Sequence, residues 1–247
     1  MDYNFFKTKI KSLNRILLVL FSVFVLFGCT DTEGDEGEGG NMEYIAGEFS
    51  GVLVGSTGSY TLKLEEDNVI AVVFFNGNIY TLTSNESLAP NGSITLTEGT
   101  ISIKITDNGD LFPELTFTIP GHNVQYTIVT NVISNPNRNY VGTSINTSEG
   151  RIIRKSTFNL TIYGSNWKGI EKVILNTEDP EEVNEIIRAE GKITEDADSV
   201  SFFWNNDELI FTLNKIGDRL VYTEEIIEQV GGVPEVVATF EIELTKK

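Results

Sequence analysis

The strongest constraint on the fold is a repeated alternation of apolar and polar residues, typical of strands with one buried and one wet face. The alternation recurs at residues 60–64, 94–96, 101–105, 115–119, 158–162, 200–202 and 240–244. The continuous apolar run 69–75 predicts a strand that is covered on both faces. Asn76-Gly77 and Asn108-Gly109 lie between candidate strands and suit tight hairpins. The sequence therefore predicts an all-β body of antiparallel hairpins.

Residues 179–190 break this pattern and predict one short helix. Asp179 is a suitable N-cap, and Pro180 fits the first helical position. Glu182 completes a capping box with Asp179, and Gly191 is placed to end the helix. Such a helix would cover an open barrel end or a sheet edge.

Three short segments recur in the same order in the two halves of the body, pairing 47–51 with 139–142, 60–64 with 158–162, and 92–97 with 191–194. A repeat of this length is a small domain, although chance similarity between β sequences explains it about equally well. A turn-rich stretch at 135–138 separates the halves. We expect two tandem small antiparallel β domains, each a barrel or a sandwich, at residues 43–134 and 139–247.

The body opens with glycine and an aromatic residue, at Gly47 and Phe49, and continues as a run of hairpins. This order is similar to that of small lipocalin-like domains of exported bacterial proteins. The resemblance implies a barrel that carries a small apolar ligand.

The first 28 residues have the three parts of a secretory signal peptide. Four basic residues, the last of them Arg15, precede the largely apolar run 16–27, and the small residue Gly28 follows. A helix needs about 20 residues to cross a bilayer, so a permanent span is the weaker interpretation of this run.

The signal ends in Leu26-Phe27-Gly28-Cys29. This segment resembles the lipobox of bacterial lipoproteins at Leu26, Gly28 and Cys29, and it departs from the usual small residue at Phe27. The resemblance implies cleavage before Cys29 and acyl chains on that cysteine, which would hold the protein on a membrane. The alternative is an ordinary secreted protein with an incidental Cys29, which is the only cysteine of the chain.

Residues 29–42 predict a flexible tether, because the five acids and four glycines after Cys29 cannot form a core. Acids directly behind an acylated cysteine also resemble the surface-export signals of lipoproteins in some gram-negative lineages. The resemblance implies an outer-membrane lipoprotein that faces the cell surface, with the periplasmic side as the alternative.

The charge excludes one class of partner. The chain has 36 acidic and 18 basic residues, a formal net charge of −18, and the signal peptide contains four of the basic residues. Such a surface repels phosphates, so we expect no nucleic-acid partner. It also keeps the body off anionic membranes except through the lipid.

Few residues are available for catalysis. His122 is the single histidine, which rules out a zinc site made of cysteines and histidines, and no Gly-x-Ser-x-Gly motif is present. We therefore predict no catalytic residue, no metal and no cofactor. A glycan hydrolase needs only two carboxylates and is the enzymatic alternative. Asp107 and Asp110 can offer oxygens to calcium, but a hairpin turn explains them equally.

Four aromatic residues at expected loop or strand-end positions are the candidate ligand contacts: Trp167 and Trp204, with Tyr163 and Phe112 behind them. Exposed aromatic rings stack on sugars or bind a protein partner. The alternative is burial in the core, the usual position of tryptophan in β domains.

The leading hypothesis is a membrane-anchored, non-enzymatic binding or assembly module with a glycan or protein partner. The alternatives are a lipocalin-like carrier of a small apolar ligand and a carboxylate-dependent glycan hydrolase. The sequence leaves the ligand and the oligomeric state open.

We predict that Cys29→Ala abolishes membrane association that detergent can release, because the variant lacks the acylation site. Fractionation of cells that express each form measures this. Wild-type-like recovery of the variant in the membrane fraction would show that the lipoprotein hypothesis is wrong.

Overall fold

The computed structural model describes residues 46–54, 58–131, 136–230 and 233–247. These residues form β-strands joined by turns, with one 3₁₀ turn and no α-helix among them. The all-β prediction is confirmed. The predicted signal peptide, Cys29 and the tether lie outside the described residues.

The first half is a two-sheet sandwich. Its strands are β1 (Gly47–Val54), β2 (Gly58–Leu64), β3 (Val69–Phe75), β4 (Asn78–Ser84), β5 (Ser93–Glu98), β6 (Ile101–Thr106), β7 (Glu114–Thr118), β8 (Gln125–Tyr126) and β9 (Val129–Thr130). The larger sheet has the order β4-β3-β2-β1, and the two short strands β8 and β9 both pair with β1. The smaller sheet has the order β5-β6-β7.

One apolar core joins the two sheets of the sandwich. The Tyr60 ring of β2 lies 5.2 Å from the Phe117 ring of β7, between ring centroids. The turn between β3 and β4 has positive φ at Asn76 (50°) and Gly77 (81°), as the Asn-Gly pair predicts. The prediction that β3 is covered on both faces is wrong, because Val72 on its outer face is 36% exposed.

The second half is a closed barrel of eight antiparallel strands. Each strand pairs with its neighbours in sequence, and pairing of the first strand with the last closes the barrel. The strands are β10 (Arg138–Ser148), β11 (Arg151–Tyr163), β12 (Asn166–Asn176), β13 (Ile186–Glu195), β14 (Ser199–Phe203), β15 (Leu209–Ile216), β16 (Arg219–Val230) and β17 (Val233–Lys246).

Side chains fill much of the barrel interior. Leu160, Phe202 and Leu213, on three different strands, are each 0% exposed. Atoms that line a cavity large enough for a water molecule have accessible surface. Because these three side chains have none, no such cavity lies next to them. This part of the barrel is a packed core.

The helix predicted at 179–190 is wrong. Only Pro180–Glu182 forms a single 3₁₀ turn, and Val183 already has extended backbone with ψ of 128°. From Ile186 onward the chain pairs with β12 as strand β13. The cap signals are satisfied by one turn, and strand pairing then overrides the local helix preference.

The two halves pack against each other through β1. Its Val52 and Val54 join Val141 of β10 and Ile170 of β12 in one buried apolar cluster, which we call the interface cluster. The Asn159 side chain of β11 also donates a hydrogen bond to the Leu53 carbonyl. Met42–Lys247 form one compact unit. No sheet is shared between the halves in the described residues, and their independence as domains stays a prediction.

We predict that Ile170→Ala lowers the free energy of unfolding by about 2 to 5 kcal/mol, because it leaves a cavity in the interface cluster. Ile174→Ala, on the same strand but 46% exposed, should cost about 0.5 kcal/mol or less. Urea unfolding of the two variants measures both values. Equal losses would contradict the stabilising role of the interface cluster.

Candidate functional site

An ion-pair network closes one end of the barrel. The Arg138 guanidinium donates to both carboxylate oxygens of Glu195, at 2.7 and 2.6 Å. Lys215 lies 2.7 Å from the same carboxylate, measured from Nζ to Oε1. Hydrogen bonds from Arg138, with a smaller contribution from Lys215, lower the pKa of Glu195 to about 2. We call this the closed end.

The opposite end, which we call the open end, has an incomplete wall. β15 pairs with β16 only through residues 214–216 and 219–221, whereas β16 pairs with β17 along its whole length. From Tyr222 to Val230, β16 therefore has no described strand on the side facing β15. The wall parts here, and we call this opening the β15–β16 gap.

Aromatic side chains surround the gap. The rings of Tyr222 on β16 and Phe240 on β17 lie 5.8 Å apart, measured between their centroids. Phe211 of β15 lies 5.0 Å from the buried Phe202 ring. All three gap residues pack against the barrel core but are only partly buried. Their apolar surface is available to a ligand at this end.

A polar layer lies on the inner face of the barrel wall. Arg154 donates to Glu171 at 2.9 Å, and the Arg154 Nε lies 4.0 Å from the Glu182 carboxylate. The buried Ser156 hydroxyl and the Arg154 Nε make no hydrogen bond to the described residues. The register places Glu171 beside Phe158 of the barrel core, so charged and aromatic groups adjoin. This arrangement can hold a molecule with both polar and apolar parts.

Of the two interpretations of Trp167, ligand contact and core residue, the structure shows the core position. Its side chain is 1% exposed, and its indole N–H donates to the Phe203 carbonyl at 3.2 Å. A Cβ at Gly169 would lie 2.9 Å from the ring, and one at Gly191 would lie 3.0 Å from Nε1. The two glycines make room for the indole, so Trp167 belongs to the barrel core.

The other three predicted contacts are scattered. Trp204 is partly buried in the turn after β14, with its ring 6.3 Å from that of Trp167. Tyr163, at the end of β11, is partly buried, and burial raises its pKa. Phe112 belongs to the sandwich, against Phe49 at 6.3 Å. Of the four predicted residues, Trp204 alone combines partial exposure with a place beside the barrel core.

Several residues of the open end were missed from the sequence. Phe240 begins the alternating segment 240–244, which marks it only as a strand residue, and no sequence pattern singles out Tyr222. Arg154 carries a usable signal, because it follows the same alternation as the core residue Phe158 and is therefore a charge on an apolar face. The parting of β15 from β16 has no local sequence signal.

The candidate metal and catalytic residues have structural partners. Asp107 accepts hydrogen bonds from the backbone N–H groups of Asn91 at 2.9 Å and Gly109 at 2.7 Å, so its carboxylate orders a loop. His122 packs edge-to-face on Phe75, with ring centroids 4.9 Å apart. Across the described ranges, no group of three or more His, Cys, Asp or Glu is arranged to hold a metal ion.

Comparison of the chain with protein-family models, curated proteins and solved structures found no match. Within the described part of the chain, no helix is long and apolar enough to span a membrane.

We predict that Trp167→Ala lowers the free energy of unfolding by about 3 to 5 kcal/mol, since it empties part of the barrel core. Trp204→Ala should cost clearly less, because that ring is partly exposed. Urea unfolding followed by circular dichroism measures both, and Trp167→Phe provides a milder variant if the alanine form does not fold. Similar losses at the two tryptophans would contradict this assignment.

Proposed function

We propose that the protein is a lipid-anchored surface lipoprotein whose β body is a non-enzymatic binding module, and that it recognises its partner at the open end of the barrel. One contrast carries the proposal. The interior beside the closed end is filled by fully buried side chains, whereas Phe211, Tyr222 and Phe240 remain partly exposed around the gap. Partly exposed aromatic side chains grouped in one place are typical of recognition surfaces.

A carrier of a small apolar ligand is the second candidate, and the closed eight-stranded barrel favours it. The packed core restricts where such a ligand can lie. It would sit at the open end, between the aromatic rings and the polar layer around Arg154 and Glu171. Both candidates therefore use the same surface and differ in the size of the partner.

The proposed anchoring rests on the lipobox-like segment that ends at Cys29 and on the acidic residues behind it. The net charge of −18 opposes direct binding of the body to an anionic bilayer. Lipid on Cys29 would therefore supply the membrane attachment and leave the body free to meet a partner at the cell surface.

The glycan hydrolase alternative lacks a supporting feature in the described residues. Its acid catalyst needs a raised pKa. The carboxyl groups with a clear shift, Glu65, Glu195 and Asp196, all have lowered pKa values. In each case, hydrogen bonds to the carboxylate are the main cause.

We predict that a ligand of the open end raises the melting temperature of the protein, since it binds only the native state. Thermal-shift measurements with glycans, fatty acids, haem and calcium test this. A hundredfold excess of ligand over its Kd stabilises by about 2.7 kcal/mol. The shift should shrink in Phe240→Ala and persist in Ile216→Ala, an exposed residue where β15 meets the turn into β16.

Two results would contradict the proposal. A shift that survives unchanged in Phe240→Ala, and in a second variant with Phe211→Ala, would place recognition elsewhere. Turnover of a glycan, ester or peptide that a single carboxylate substitution abolishes would show that the protein is an enzyme.

A further inference from the structure

The longest free strand edge in the described barrel lies on β16. Residues 222–230 pair with β17 on one side and with no described strand on the other. At about 3.4 Å per residue, this edge is about 30 Å long. Residues 223–225 and 227–230 are exposed, so a second polypeptide can reach the edge.

Three of the usual protections against strand addition, proline, lysine and bulges, are absent from this edge, and the charges that it carries are all glutamates. Proline, lysine and bulges normally disrupt exposed edges. Here the one proline of the hairpin, Pro234, lies in β17, and residues 222–230 contain no lysine. The irregularity in the hairpin inserts Val237 into β17 rather than a residue into β16, because Ile226 pairs with Ala238 and Ile227 with Val236. β16 thus keeps the regular period that a partner strand needs.

The charge of the hairpin selects the partner. Residues 220–245 contain six glutamates and no lysine, arginine or histidine. On β16 itself, Glu224, Glu225 and Glu228 are all exposed. Like charges directly opposite each other destabilise a strand pair, so a second copy of this edge is a poor match. Basic side chains are the complement, and the acidic field favours their approach.

We propose that the free edge of β16 binds an extended segment of a partner protein that carries lysine or arginine at several positions, by adding that segment to the sheet as a strand. Backbone hydrogen bonds along residues 222–230 would supply affinity, and the glutamates would supply selectivity. The inference rests on the proposed function, because this edge borders the open end, and it names the class of partner.

Fluorescence anisotropy with the full chain in detergent micelles tests the inference. The probe is a labelled nine-residue peptide of alternating lysine and threonine. One control peptide replaces each lysine by glutamate. A second keeps the lysines but carries N-methyl groups on every backbone nitrogen, which blocks strand pairing along both edges of the peptide at unchanged charge. We expect the first peptide to bind, and each control to bind at least about tenfold more weakly.

Two variants with the same change in charge locate the site. Glu225→Lys lies on the free edge strand, whereas Glu241→Lys lies on β17, which is paired on both sides. An added strand lies about 4.8 Å from β16 and twice as far from β17. We expect Glu225→Lys to weaken binding about fivefold and Glu241→Lys to have a smaller effect. Melting temperatures like that of the wild type show that both variants are folded.

Each remaining outcome is decisive. Equal binding of the methylated peptide would show charge attraction without strand addition, and equal effects of the two variants would place the site elsewhere. Either result overturns the inference. If the lysine peptide does not bind while the Phe240-dependent thermal shift persists, this inference is wrong and the proposed function stands. If the lysine peptide does not bind and no thermal shift is seen, the inference and the proposed function are both wrong.

Discussion

Pairing between β10 and β17 is the constraint on which the second half depends, since it joins the first and last strands and closes the barrel. The backbones approach so closely there that a Cβ at Gly142 would lie 1.8 Å from the Glu243 carbonyl oxygen. Closure leaves no sheet edge at the seam, and the longest break in the described wall is the gap between β15 and β16. The partly exposed aromatic rings and the free edge of β16 both follow from that break.

The strands could be predicted from the sequence because their signal is local. Alternation found residues 60–64 and 158–162, and the Asn76-Gly77 pair found a hairpin turn. Closure of one half as a barrel and packing of the other as a sandwich depend on which distant strands pair, and a period of two does not encode this. The prediction of a helix at 179–190 is wrong for a related reason. Its cap signals specify one turn, and the residues from Ile186 onward become a strand because they pair with β12.

The site was less predictable than the fold. For Trp167 the sequence left open a ligand contact or burial in the core, and the space that Gly169 and Gly191 leave for its indole ring is visible only in the structure. Trp204 is the one predicted aromatic residue that combines partial exposure with a place beside the barrel core. The polar layer was missed because the charge at Arg154 becomes informative only once Phe158, four residues along the same strand, is assigned to the inner face.

The position of β1 has a mechanical consequence. Any pull on the chain that precedes residue 46 enters the described body through β1, which pairs with β2 in antiparallel register from Gly47 to Leu53. A force directed along a strand loads such hydrogen bonds together, in shear, rather than opening them one after another. Because Val52 and Val54 are also held by the barrel, the load spreads into both halves. A body pulled through β1 should therefore resist unfolding better than one pulled through a peripheral strand.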